Sequence, residues 1–278
     1  MKEPFFIHHF KRTAHYTMAT NHFHDQYEIY YLLEGERFYF IKDCSYRIGK
    51  GDIVFIDKYE LHKTGDAGLP GHERILINFD DRFLDCSAHA MLSGPFQAKL
   101  RRLSLPPEER AWVETVLYDM LLEAKAGQQG SGIALQAQLS RLLVRCARLM
   151  QRDDSGSGGF EHESPAHRKI TEIVAYLNTA FGEPLSLESV AKAHFVSPSY
   201  LSRTFKRVTG FSFVEYVNSI RIKEAQRLLR ETSWKVTRIA EQVGYENIGH
   251  FGRVFKTISR THPLDYRRAH AELGKSAT

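Results

Sequence analysis

The stretch Val236–Lys256, VTRIAEQVGYENIGHFGRVFK, has the pattern of two short helices joined by a tight turn. Ile239, Ala240 and Val243 recur at helical spacing and give the first helix one apolar face. Gly244 follows that face, where a left-handed backbone is easiest for a residue without Cβ. The stretch therefore predicts a helix-turn-helix, and the rest of the chain can be interpreted around it.

The second helix of this stretch is predicted to begin after Asn247, whose side-chain oxygen can accept a hydrogen bond from an orphan backbone N–H. Phe251, Val254 and Phe255 are expected to face inward. The opposite side carries small and basic residues, namely Gly249, His250, Gly252, Arg253 and Lys256. Inward aromatic rings with small and basic residues outside are typical of a helix that lies in the major groove of DNA.

A second copy of the pattern lies upstream in Ser186–Gly210, SLESVAKAHFVSPSYLSRTFKRVTG. Ser197 is the expected N-cap, and Pro198 stands at the first helical position, where its missing N–H is not needed. The pieces SRTFK, residues 202–206, and GRVFK, residues 252–256, align residue for residue. A repeat with matching caps, core positions and basic outer face is hard to attribute to chance.

On these residues, the tail Lys169–Arg268 resembles the double helix-turn-helix domain of AraC/XylS-type bacterial transcription regulators. The likeness includes RIKEAQRLLRET, residues 221–232, with IAEQVGYEN, FGRVFK and the closing HPLDYRR. Three residues depart from the family pattern, and none lies on the predicted DNA face: Phe195 in the first turn, Arg260 after the second recognition helix and Phe213 after the first. The resemblance implies a sequence-specific transcription regulator that responds to a small-molecule effector, such as a sugar, and acts with RNA polymerase.

Charge is distributed unevenly along the chain. From Arg168 onward there are 18 Lys and Arg against 10 Asp and Glu, whereas the remainder has 20 against 23. This asymmetry indicates that only the motif-bearing half meets a polyanion, the expected double-stranded DNA. An ordinary solvated basic face would not explain why the excess coincides with the motifs.

Length and composition indicate a cytoplasmic protein of two domains. The 278 residues allow two cores of ordinary size. No run approaches the ~18–20 apolar residues of a membrane span, and the N-terminus lacks the apolar segment of a secretory signal, so no membrane partner is expected. The three cysteines are widely spaced and form no CxxC, which indicates reduced thiols rather than disulfides or structural zinc.

Residues up to about Phe83 are predicted to be β, with short β-branched and aromatic runs separated by turns. The predicted strands are Tyr27–Leu33, Arg37–Ile41, Ile53–Ile56 and Arg74–Phe79. Such spacing favours an antiparallel barrel or jelly roll. The period then becomes helical in Glu108–Lys125 and Ile133–Met150, an expected helix pair on the barrel. The family resemblance implies that this pair forms a homodimer, while simple core packing is the alternative.

Within the β region, His22, His24, Glu28 and Gly35 follow the order HxH, E, G, and His62 comes after the GDIVFID strand. This order resembles the cupin motif, which the sensing domain of many AraC-type regulators shares. Three imidazoles and a carboxylate would suit a first-row divalent ion. The alternative is a barrel that requires no cofactor and uses these residues, with nearby aromatic rings, to hold an organic effector.

The predicted fold is thus α+β in two domains. Residues 1–152 form a cupin-like domain for effector binding and dimerisation, 153–165 a Gly-, Ser- and acid-rich linker, and 166–271 an all-α DNA-binding domain with two helix-turn-helix motifs joined by a helix. That connecting helix, Phe213–Arg230, should hold the two recognition helices ~10 bp apart in successive major grooves.

Two sets of residues are predicted to contact DNA. In the first motif they are Ser197, Ser199, Tyr200, Ser202, Arg203 and Lys206, and in the second Asn247, Gly249, His250, Gly252, Arg253 and Lys256. Arg203 and Arg253 occupy equivalent positions in the repeat and are expected to form bidentate hydrogen bonds to guanine. The lysines are expected to contact phosphate. A cupin metalloenzyme with an accessory DNA-binding domain and an architectural DNA protein are the competing interpretations. The barrel offers no evident nucleophile or general base, which disfavours an enzyme.

Overall fold

The computed structural model describes residues 3–16, 23–68, 70–86, 89–153 and 164–275. The chain divides into two compact units, Met1–His162 and Glu163–Thr278. None of the described helices is long and apolar enough to cross a membrane. Residues 154–163 of the predicted linker lie outside the described part of the chain, so the domain boundaries placed around it stay a prediction.

The first unit is built on two antiparallel sheets. Its strands are β1 (Phe5–Arg12), β2 (Tyr27–Gly35), β3 (Arg37–Ile41), β4 (Cys44–Ile48), β5 (Asp52–Ile56), β6 (His62–Asp66), β7 (His72–Phe79) and β8 (Arg102–Ser104). The larger sheet has the order β1-β7-β2-β5-β8 and the smaller one β4-β3-β6. These sheets confirm the predicted antiparallel, cupin-like architecture. Four of the strands were not predicted from the sequence, namely β1, β4, β6 and β8.

Both faces of the larger sheet are buried, which explains why its strands are apolar without alternation. On one face, Tyr30 and Leu32 of β2 pack toward the smaller sheet. On the other, Ile29 and Tyr31 belong to a core shared with the helices that follow the sheets. A strand covered on both sides has no solvent face that would favour polar residues, so YEIYYLL is consistent with a central position.

Three helices cover the larger sheet: α1 (Ala90–Gln97), α2 (Pro107–Ala126) and α3 (Ser131–Asp153). The last two confirm the predicted helix pair. The first was missed, because Gly94 and Pro95 lie inside it and both disfavour a helix interior. Burial outweighs this penalty, since the ring of Phe96 is fully buried and contacts Tyr27 and Phe55.

The second unit is all-helical. Its helices are α4 (Pro165–Ala180), α5 (Leu187–Ala193), α6 (Pro198–Thr209), α7 (Phe213–Glu231), α8 (Val236–Gln242), α9 (Ile248–Ser259) and α10 (Pro263–Lys275). Apolar residues at helical spacing on α7 are all buried, namely Val217, Ile220, Ala225, Leu228 and Leu229. Helices α6, α8, α9 and α10 all contact α7, so α7 is the scaffold on which both motifs assemble.

Candidate functional site

The caps of the two recognition helices, α6 and α9, follow the sequence closely. The hydroxyl of Ser197 accepts a hydrogen bond from the backbone N–H of Tyr200 at 3.2 Å. In the second motif, Oδ1 of Asn247 accepts from the N–H of His250 at 2.9 Å. Both side chains therefore satisfy orphan donors at a helix start. Their oxygens serve the helix itself, which is a role additional to the predicted DNA contact.

The turns that precede these helices have the same backbone geometry but different lengths. Phe195 has φ 57° and Gly244 has φ 85°, both in the left-handed region. The next N–H donates to the helix in both turns, from Val196 to Ala191 and from Tyr245 to Ala240. One residue separates Phe195 from the N-cap Ser197, whereas two separate Gly244 from Asn247. The repeat thus contains a one-residue insertion in the second turn.

Each recognition helix buries its aromatic face and exposes its basic face. Leu201, Phe205, Phe251 and Phe255 are fully buried. Most predicted DNA contacts are exposed, and these are Ser197, Ser199, Ser202, Arg203, Lys206, Asn247, Gly249, His250, Arg253 and Lys256. The two half-buried ones are Tyr200 and Gly252. Among the described residues, no carboxylate forms an ion pair with Arg203 or Arg253. Contact with DNA by any of them stays a prediction.

One arginine of α7 connects the turn before the first motif with the second motif. The guanidinium of Arg221 donates to the carbonyl oxygens of Phe181 and Glu183, in the turn between α4 and α5 that precedes the first motif, at 2.8 Å each. It also lies over the ring of Tyr245, in the second turn, at 5.4 Å. Burial lowers the pKa of Arg221. A single half-buried side chain therefore bridges the turn that leads into the first motif and the turn of the second motif.

Inside the first unit, the structure brings together His24, Glu28 and His62. Nε2 of His24 lies 3.1 Å and Nε2 of His62 3.8 Å from Oε2 of Glu28. The Glu28 carboxylate also accepts hydrogen bonds from the Tyr39 hydroxyl at 2.8 Å and the Asn78 amide at 3.2 Å. Burial opposes ionisation of Glu28, but the hydrogen bond from His24 and the charge of His62 outweigh it and hold the pKa of Glu28 well below its usual range.

The fourth predicted member of this cluster, His22, lies outside the described residues. The remaining three offer ligand atoms within 4.8 Å of one another. Nδ1 of His24 contacts the carbonyl of Gln26, and Nδ1 of His62 that of Glu60, at 2.8 Å each. Hydrogen bonds of this kind, from the ring nitrogen that does not face the metal, orient metal-binding imidazoles. Two imidazoles and a carboxylate therefore fit a first-row divalent cation. Tyr39 and Asn78 were not predicted, because their positions near Glu28 depend on pairing between strands.

A groove of about 490 Å³ lies apart from this cluster, between α2 and α3. Four arginines line it at helical spacing, namely Arg141, Arg145, Arg148 and Arg152. The Trp112 ring lies beneath the guanidinium of Arg145, at 4.4 Å, and Glu109 binds the same guanidinium through both oxygens. The groove is therefore a surface feature of the helix pair and no part of the barrel interior.

Comparison with known proteins agrees with both units. Residues 4–163 match the model of an AraC-like ligand binding domain, and residues 190–269 match that of a helix-turn-helix domain. The chain is 24% identical to the HTH-type transcriptional activator RhaR of Mannheimia succiniciproducens, over 88% of this chain and 86% of that protein. It is 33% identical to the uncharacterized HTH-type transcriptional regulator YisR of Bacillus subtilis, over 87% and 85% respectively.

Among solved structures, the C-terminal domain of AraT, a response regulator from Geobacillus stearothermophilus, is 38% identical. That similarity covers 38% of this chain and 86% of the AraT domain, with a TM-score of 0.36.

Proposed function

The chain belongs to the AraC family of helix-turn-helix transcription regulators, and from this premise we propose that α6 and α9 read two successive major grooves of one asymmetric DNA site. The observation that carries the proposal is the pair of exposed basic faces held on one scaffold helix. Arg203 and Arg253 occupy equivalent positions on these faces, with no carboxylate bound to either in the described chain. Their guanidiniums are therefore available for guanine O6 and N7.

Effector control is assigned to the barrel. The cluster around Glu28 supports this assignment, because a buried carboxylate with imidazole, phenol and amide donors around it can exchange hydrogen bonds with the hydroxyl groups of a ligand. The named relatives are transcription regulators. On that ground the barrel binds its ligand without converting it, and the protein acts in the cytoplasm, where it meets DNA and RNA polymerase.

A homodimer through the helix pair is part of the same proposal. Exposed apolar side chains support it: Tyr118 and Leu122 of α2 and Ile133 at the start of α3 are 41%, 66% and 75% exposed. Leu122 and Ile133 lie near the loop that connects the two helices, and Tyr118 lies one turn before Leu122 on α2. Burying such a patch against a second copy would remove apolar surface from water.

Selection of bound fragments from a random DNA library tests the DNA-binding proposal. We expect an asymmetric site with two conserved segments ~10 bp apart, present twice in the sequences that the dimer binds best. The affinity for that site should fall steeply with salt, because each Lys– or Arg–phosphate contact releases counterions. A slope of log K against log salt near zero, or a selected pool without any shared sequence, would exclude this function.

Metal analysis distinguishes the two uses of the Glu28 cluster. If the cluster binds effector hydroxyls, protein purified without added metal should carry far less than one metal ion per chain. The Tm of the protein and of Glu28→Gln should then respond equally to Mn²⁺, Co²⁺ and Zn²⁺. One equivalent of bound metal that is lost in Glu28→Gln would instead show a metal centre, since carboxylate and imidazole are ligands for such ions.

A further inference from the structure

The interior of the barrel has a second polar site, formed around two buried arginines. Arg74 and His72 lie two residues apart on β7 and share a face, and Arg37 lies on β3 of the smaller sheet. Tyr30, on β2, completes the group. Their exposed fractions are 8%, 4%, 2% and 0% in that order. We name these four residues the cationic end of the barrel.

Polar atoms of the cationic end are buried without hydrogen-bond partners among the described residues. They are Nη2 of Arg37, Nε of Arg74, Nε2 of His72 and the hydroxyl of Tyr30. Folded proteins satisfy more than about nine in ten buried polar atoms. Four such atoms from neighbouring side chains are therefore a specific sign that another group belongs between them.

Neither arginine has a carboxylate partner in the described part of the chain. Nε of Arg37 donates to the hydroxyl of Thr64 at 3.3 Å, which satisfies one donor but neutralises no charge. Asp66 lies opposite Arg37 in the strand register, yet its carboxylate accepts from His15 and from the N–H of Gly68. Among the described residues, neither buried guanidinium thus has a bound counterion, which is a costly arrangement.

Aromatic rings compensate for part of this cost only. The guanidinium of Arg74 lies 4.9 Å from the ring centroid of Phe10 and 5.1 Å from that of Tyr30. These contacts use the flat faces of the guanidinium, whereas its Nε–H bond lies in its plane and has no acceptor among the described residues. An anion with two or more oxygens would supply acceptors and charge together, since arginine binds carboxylate and phosphate through parallel N–H bonds.

We propose that the cationic end of the barrel binds a carboxylate or phosphate group of the effector. This inference rests on the proposed role of the barrel as the effector site and adds the chemical class of the ligand. Burial, together with the charges of Arg37, Arg74 and Arg12, lowers the pKa of His72 to about 4. The imidazole of His72 is therefore neutral at pH 7 and can donate one N–H to the anion.

Two adjacent tyrosines connect the cationic end to the Glu28 cluster. The rings of Tyr30 and Tyr39 contact edge to face, with centroids 5.1 Å apart. Tyr30 lies under Arg74, and the hydroxyl of Tyr39 donates to Glu28. The two polar sites therefore lie one after the other along the interior. A small acid that also carries hydroxyl groups, such as a sugar acid, would match both.

The test uses the full-length chain and matched probes at constant ionic strength. Three acids are each compared with a neutral counterpart: glucuronate with glucose, galacturonate with galactose, and hexanoate with hexanamide. Inorganic phosphate is the fourth anion. The Tm of the protein is measured in the presence of each compound. We expect one class of anion to raise the Tm while the neutral counterparts leave it unchanged. Arg37→Gln and Arg74→Gln should each weaken that binding about 10- to 100-fold. The matched control is Arg47→Gln, because Arg47 is an exposed arginine of β4 that binds Glu36.

The ligand-free variants give a second, independent readout. Because Arg37→Gln removes a buried charge that has no carboxylate partner, it should leave the Tm of the ligand-free protein unchanged or raise it. A clear decrease in Tm would mean that Arg37 has a structural role, and the proposal would fall. It would also fall if the wild type and Arg37→Gln responded alike to every anion. Affinity for the selected DNA, measured without probe, separates these failures from a failure of the DNA-binding proposal.

Discussion

The double variant Arg203→Ala, Arg253→Ala is expected to lose ~2–6 kcal/mol of binding free energy on its specific DNA site, which is about 30-fold to more than 10⁴-fold in Kd. Each arginine lies on the outer face of a recognition helix, opposite a fully buried phenylalanine, Phe205 or Phe255. A bidentate contact to guanine contributes ~1–3 kcal/mol of discrimination. Since the two contacts would lie in different grooves, the single-variant losses should add nearly independently.

Fluorescence anisotropy on the selected site and on a scrambled duplex, at one salt concentration, measures this loss. Each single variant should relax the base preference in one half of the site. Lys206→Ala is the matched control, because a phosphate contact contributes equally to all sequences. Lys206→Ala should therefore weaken both duplexes alike and make the salt slope shallower. Unchanged base-preference profiles in both arginine variants would show that neither residue contacts a base, even if the affinity for DNA had fallen.

The second large effect is expected at Gly244, where alanine should destabilise the C-terminal unit by more than ~2 kcal/mol. The left-handed backbone at φ 85° costs a residue with Cβ ~1–2 kcal/mol. The space is also filled, because an added Cβ would lie 2.8 Å from Nη2 of Arg221 and 3.0 Å from the carbonyl oxygen of Gly182. Gly244→Ala must therefore displace Arg221, which bridges the second motif and the turn before the first.

Urea unfolding followed by circular dichroism measures the stability of Gly244→Ala, and DNA affinity under native conditions shows whether the motifs stay in position. The repeat supplies its own control. Phe195 occupies the equivalent turn position at φ 57° and is 95% exposed, so Phe195→Gly relieves backbone strain and loses little packing. That variant should be neutral or stabilised by up to ~1 kcal/mol. Equal destabilisation of both variants would mean that left-handed geometry does not govern these turns.

Local signals in the sequence were sufficient for most of the second unit. The caps Ser197 and Asn247, the left-handed Gly244 and the buried phenylalanines all depend on neighbours within a few residues. The family was predicted for the same reason, since a repeated local pattern indicated it, whereas the two-domain fold was predicted from length, composition and the change from β to helical periodicity. The one-residue insertion before Asn247 was visible in the sequence as well, because the alignment offset changes between the turn and the helix that follows.

In the first unit the sequence was less informative, because its site depends on contacts between distant strands. His24, Glu28 and His62 were predicted from a spacing pattern, but Tyr39 and Asn78 looked like ordinary strand residues. Arginines in strands are usually exposed, so nothing local indicated that Arg37 and Arg74 face each other inside the barrel. Helix α1 was missed because its Gly and Pro disfavour a helix locally, and the burial that outweighs them depends on distant parts of the chain.

The scaffold formed by α7 and Arg221 affects how this protein selects the genes that it controls. Two different recognition helices, held in one order by α7 and Arg221, can match a site in only one orientation. The two halves of such a site differ, so the bound chain has a defined orientation on the DNA. Reversing the site in front of a promoter should reverse the orientation of the bound protein. Where two divergent promoters share one site, the protein could regulate one of them and not the other.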